Sequence, residues 1–104
     1  MTQRFEPRSP LGVHLSANRE AVLEAVARRR ATNVRVFGSV ARGEDTHDSD
    51  VDLLVDLDPT ATPMDLLGLG YELGETLGVR VDVGTPNSLR AFLRDEVLGE
   101  AVAL

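Results

Sequence analysis

Cysteine, lysine and tryptophan are all missing from this 104-residue chain. Without cysteine there is no disulfide, no thiolate zinc site and no thiol nucleophile, which fits a reducing compartment. The two histidines, His14 and His47, stand too far apart in sequence to suggest a metal pair. Aromatics are limited to Phe5, Phe37, Tyr71 and Phe92, too few for a platform on which single-stranded bases stack, so no direct nucleic-acid binding is expected. No apolar run approaches the roughly 20 residues of a membrane span. The N-terminal stretch, with Arg4, Glu6, Arg8 and two prolines, lacks the apolar core of a secretory signal. The expectation is a soluble, cytoplasmic protein with no membrane association.

Positive charge is also missing from the middle of the chain. All eleven basic residues are Arg, and none lies between Arg42 and Arg80, where ten of the seventeen carboxylates fall. The net charge of −6 therefore averages an acidic centre with flanks in which eleven Arg face seven carboxylates. A hydrophobic content of 42 % argues for a folded domain. A chain this long buries about 65 % of its unfolded surface, enough for one core.

Residues 1–15, with Pro7, Pro10 and Gly12 and no periodicity, read as a flexible or partner-ordered arm, leaving 16–104 as the domain. From the N-cap Asn18, apolar Ala21, Val22, Ala25 and Val26 recur at helical spacing to about Arg30, and Thr32-Asn33 ends that helix. Residues 34–37 form a short strand that stops at Gly38, and 39–42 a single helical turn closed by Gly43. Residues 50–58 alternate strongly, with Val51, Leu53, Val55 and Leu57 on one face of a strand and the aspartates with Leu54 on the other. A helix over 64–77 buries Leu66, Leu69, Leu73 and Leu77 and ends at Gly78; its Gly68, Gly70 and Gly74 point to close packing on a sheet. A third strand covers 79–83. Thr85-Pro86 opens a last helix expected to turn Leu89, Phe92, Leu93 and Val97 inward. The fold class is α/β (α+β), a small mixed sheet with helices packed on one side.

One constellation carries chemistry. Gly38-Ser39 is followed, after ten intervening residues, by Asp50-Val51-Asp52. Strand spacing puts Asp50 and Asp52 on the same side with Cα atoms roughly 6.5 to 7 Å apart. Such a pair repels itself unless a cation neutralises it, and hard oxygen ligands favour magnesium or manganese. Asp82, on a strand that could lie beside the second, can supply a third carboxylate. Three carboxylates can hold two ions about 3.5 to 4 Å apart, an arrangement suited to phosphoryl or nucleotidyl transfer. At Gly38 the backbone can approach a ligand closely, and Ser39 offers a hydroxyl and a free amide to an anion. A metal site facing an anion cradle suggests a nucleoside triphosphate delivered as its magnesium complex. Arg42 could touch a phosphate or equally pair with a nearby acid.

The run GSVARGEDTHDSDVDLLVD resembles the nucleotidyltransferase superfamily of the DNA polymerase β type. The elements Ala41-Arg42-Gly43, Ser49-Asp50-x-Asp52-Leu53 and Gly78-Val79-Arg80-Val81-Asp82-Val83 look like the minimal nucleotidyltransferases, or MNT proteins, over about residues 18–102. That resemblance implies a nucleotidyltransferase palm fold in which Gly38 and Ser39 bind the triphosphate of ATP while Asp50, Asp52 and Asp82 bind metal. It also implies a partner. Minimal members act as antitoxins that transfer AMP from ATP to a tyrosine of a cognate HEPN RNase toxin, and the toxin would complete the open active face. Two alternatives stand beside it: an antitoxin that neutralises its partner by contact alone, and a transferase acting on a small molecule.

Other polar residues have plainer readings. Arg28-Arg29-Arg30 complements a helix C-terminus. Arg80 shares a strand face with Asp82 and suits a salt bridge, with pyrophosphate as the other candidate; His47 is an exposed loop residue; Tyr71 is assigned to packing.

Overall fold

In the computed structural model, residues 4–104 are described. They run α1 (Pro10–Ala17), α2 (Arg19–Arg28), β1 (Ala31–Phe37), α3 (Gly38–Arg42), β2 (Val51–Leu57), α4 (Pro63–Leu77), β3 (Val81–Gly84), α5 (Ala91–Glu100) and β4 (Val102–Ala103). The strands make one mixed sheet in the order β3-β2-β1-β4, with β1 antiparallel to both β2 and β4 and β2 parallel to β3. A parallel pair needs a crossover, and α4 supplies it. Helix α4 packs on β3 and α2 on β1, and the two helices pack on each other. Between helices and sheet lie Val22, Val26, Val36, Val51, Leu53, Val55, Leu69 and Leu73, all buried. This is the α/β arrangement expected.

Local chemistry sets the ends of α4. Thr62 accepts a hydrogen bond from the Asp65 amide while the Asp65 carboxylate accepts one from the Thr62 amide at 2.9 Å, Pro63 occupies the first turn, and Gly78 closes the helix at φ +70°. Gly70 and Gly74 face the backbone of the β3 region, as close packing requires. Gly68 faces Arg29 instead, whose guanidinium lies where a Cβ would sit. Arg28 and Arg29 pair with Glu72 and so bind α2 to α4.

Three expectations need correction. Over residues 4–15 the supposed flexible arm is folded onto the domain, and the boundary at 16 falls inside α1; residues 1–3 lie outside the described residues. Ser9 caps α1 by accepting from the Gly12 amide at 3.0 Å, and Pro10 is a helix-starting residue rather than a breaker. Leu15 and Phe5 enter the core, the Phe5 amide donates to Ala103 O at 2.7 Å, and His14 Nε2 donates to Leu77 O at 2.6 Å. Second, α2 stops at Arg28, and β1 begins at Ala31, so Thr32 and Asn33 belong to the strand. Positive φ at Arg30 and Asn33 makes the sharp entry and an irregularity in the β1–β2 register.

Third, the last helix begins later than expected and buries nothing. Thr85 caps a short 3₁₀ turn at Pro86–Ser88, Leu89 is extended, and α5 has no buried residue; Phe92 is 73 % exposed. Polar contacts hold the segment, among them Arg94 Nε donating to Pro86 O at 2.8 Å. The apolar anchor of the C-terminal region is Leu104, buried beside β4, with its amide on Val34 O at 3.0 Å.

Candidate active site

Phe37 at the end of β1 is paired with Asp52 on β2, so the chain leaves its strand directly over that carboxylate. Gly38 makes the turn at φ +75°, and a Cβ there would collide with Asp52 Oδ2. Only glycine meets both demands. On the other side, the parallel register aligns Asp52 with Asp82. Asp50 sits just before β2, held in line by the Val51 amide donating to Arg80 O at 3.0 Å. The three sequence-derived carboxylates therefore lie together at adjacent strand ends, with the Gly38 turn above them.

Their electrostatics show mutual strain. Burial, followed by the charges of Asp82 and Asp50, pushes the Asp52 carboxyl up to about 6. Burial raises Asp82 as well, reinforced by the charge of Asp50 and a hydrogen bond with it, and Arg80 only partly offsets this. Arg80 reaches Asp50 rather than Asp82, at 3.7 Å, and is largely exposed. Among the described residues no three ligating side chains already surround one point. Oxygen-only donors that disfavour each other's charge nonetheless fit a hard divalent cation, and rotation of carboxylates already on one face would gather them.

The anion cradle holds a surprise. Glu100, at the end of α5, accepts hydrogen bonds on Oε1 from the Gly38 amide and from Arg42 Nη1, the latter at 2.8 Å. Arg42 Nε also donates to Glu44 at 3.1 Å, so the guanidinium is held by two acids and is not directed at open space. Ser39 is the second residue of α3, and its carbonyl accepts from the Glu44 amide at 2.9 Å. Glu100 is the residue that sequence reasoning missed. Its partner lies 62 positions away, and a carboxylate closing a helix carries no local mark of such a contact.

Tyr71 also departs from expectation: at 74 % exposed it is not a packing residue. His47 is exposed in its loop, beside Asp48 at 3.4 Å.

Residues 19–104 match the family model described as a nucleotidyltransferase domain. The chain is 41 % identical over 69 residues to protein adenylyltransferase MntA of Thermococcus cleftensis, covering 66 % of this chain and 70 % of that protein. A solved structure provisionally described as a minimal nucleotidyltransferase aligns with a TM-score of 0.81 at 49 % identity, over 89 % of this chain and 95 % of the other. The crystal structure of a toxin–antitoxin with AMP-PNP shares the fold, with a TM-score of 0.71 at 20 % identity over 83 % of this chain and 71 % of that one.

Proposed function

We propose that this chain, which belongs to the nucleotidyltransferase domain family, is a magnesium-dependent protein adenylyltransferase that neutralises a HEPN-type RNase toxin by transferring AMP from ATP to a tyrosine hydroxyl. The observation that carries this reading is the gathering of Asp50, Asp52 and Asp82 beneath the Gly38 turn. The name of the Thermococcus relative and the toxin–antitoxin fold neighbour holding AMP-PNP support it. Use of ATP and magnesium would be consistent with work in the cytoplasm; no helix among the described residues is long and apolar enough to cross a membrane.

The Gly38 amide and the Ser39 hydroxyl would receive the triphosphate once Glu100 swings aside, and Arg42, released with it, would face the same phosphates. Asp50, Asp52 and Asp82 would hold two magnesium ions, with manganese as a substitute. When bound, the ions would neutralise the phosphates and lower the pKa of the acceptor hydroxyl. The acceptor oxygen attacks the α-phosphorus in line; a new O–P bond forms as the bond to the bridging oxygen breaks, and pyrophosphate departs. Asp82, at the sheet edge, would take the acceptor proton.

The test is the intact mass of a co-expressed toxin partner. AMP-sized increments that require ATP are expected, and Asp50→Asn or Asp82→Asn should abolish them while the circular dichroism spectrum is unchanged. Full transfer by either variant overturns the site assignment. Inhibition of the partner in a tight complex with no mass change overturns the transferase in favour of neutralisation by contact.

A further inference from the structure

Helix α5 lies against α3, yet none of its residues is buried. Its N-terminal half is held by contacts that stay within its own segment, where Arg94 Nε donates to Pro86 O at 2.8 Å and Arg94 Nη2 to Leu89 O at 3.5 Å. The backbone is extended at Arg90 and again at Ala101, element-terminal residues of the kind that absorb a hinge motion. Past Ala101 the chain is anchored once more: the Leu104 amide donates to Val34 O at 3.0 Å, and Arg19 Nε donates to Leu104 O at 2.8 Å. Among the described residues, Glu100 is the one side chain of α5 that hydrogen-bonds to the rest of the domain. The helix is therefore a bridge fastened by a single carboxylate.

That fastening uses the cradle's own donors. Glu100 Oε1 accepts from both the Gly38 amide and Arg42 Nη1, as one oxygen of a phosphate would. We propose that α5 is a latch on the nucleotide site: Glu100 stands in for a phosphate oxygen at Gly38 and Arg42, and a triphosphate that takes those two donors frees α5 from α3. A carboxylate left beside a phosphate has lost its donors and meets like charge, so it moves away. Rotation of the side chain alone still leaves α5 without a hydrogen bond to the domain, and the helix loosens in either case. The coupling is reciprocal, so anything that holds α5 off the domain raises nucleotide affinity by the same factor. A single phosphate gains from these donors only what the carboxylate already gains, whereas a magnesium triphosphate would also engage Asp50, Asp52 and Asp82; the latch thus favours nucleotide over free phosphate. This rests on the transferase reading for the place of the triphosphate and adds how access to that place is regulated.

Amide hydrogen exchange of the full chain, with and without AMP-PNP and magnesium, tests this. Bound AMP-PNP is expected to speed exchange at residues 94–100 by about tenfold or more while β2 and α4 hold or slow. Glu100→Ala should show the fast exchange without nucleotide, gain little more from it, and bind AMP-PNP about three- to tenfold tighter. Glu96→Ala removes the same charge from an exposed position of the same helix and should change neither reading. Slower or unchanged exchange at 94–100 with nucleotide bound overturns the latch, as does unchanged or weaker binding by Glu100→Ala, an equal gain from Glu96→Ala, or no binding by any of the three proteins at millimolar AMP-PNP. Partner mass separates the latch from the transferase reading. AMP transfer without release of α5 removes the latch and leaves the transferase, and release of α5 by AMP-PNP without any AMP transfer leaves the latch and removes the transferase.

Discussion

Asp52 is where charge, packing and backbone meet. Its carboxyl is pushed up to about 6 by burial and by two neighbouring aspartates, whereas in the unfolded chain it ionises near pH 4. Between about pH 4 and 6 the folded protein therefore holds a proton that the unfolded chain has lost, so this group favours folding most at low pH, and its contribution is lost as pH rises through about 6. Thermal scans of the metal-free protein should show the midpoint falling across that window and Asp52→Asn removing most of the fall. Magnesium should raise the midpoint more at pH 8 than at pH 5; an equal rise at both contradicts the site. Glu100 poses the opposite question. Its carboxylate occupies the Gly38 amide and holds Arg42, the groups assigned to the triphosphate. Removing that competing charge in Glu100→Gln should tighten binding of a fluorescent ATP analogue by about three- to tenfold, the equivalent of roughly 1 kcal/mol. Unchanged or weaker binding would make Glu100 a positioning residue for Arg42 instead.

The elements divide by how they are held. Helix α4 has a capping box, a glycine stop and a continuous buried stripe, so Leu73→Ala should cost about 2 to 5 kcal/mol in a urea titration. Helix α5 shows helical spacing of its large apolar residues but rests on polar contacts, and Phe92→Ala should stay within about 0.5 kcal/mol. A large loss at Phe92 would mean that the aromatic ring is covered in solution. The contrast explains the difference in legibility. Strand β2 and helix α4 could be read because their periodicity coincides with burial on a face. The apolar positions of α5 have the period without the burial, since the C-terminal anchor is Leu104. Likewise Pro10 reads as disorder beside Pro7 and Gly12, yet after Ser9 it is a helix start whose stability comes from Leu15 in the core.

At the scale of the whole molecule, the N-terminal segment is structural. It joins α4 through His14 and the C-terminal strand through Phe5, and deletion of residues 1–17 should lower the thermal midpoint by several degrees at least, about what loss of 1 to 2 kcal/mol does in a domain this size. Retention of the full midpoint would restore the independent arm. The sequence by itself determined the same-face Asp50–Asp52 pair, the Gly38-Ser39 turn and the α/β class, because alternation, turn chemistry and short spacings are local properties written in consecutive residues. Only the tertiary structure decided that Gly38 rests on Asp52, that Asp82 lies in register beside it, that Glu100 occupies the cradle, and that Tyr71 faces outward. Each of these depends on strand pairing, register or helix docking between residues distant in the chain, and those are set by how the core packs as a whole. The acidic middle of the chain thus gives Asp50 and Asp52 to one crowded site, while Glu44, Asp56 and Glu72 pair with arginines from the flanks, a division that composition alone does not contain.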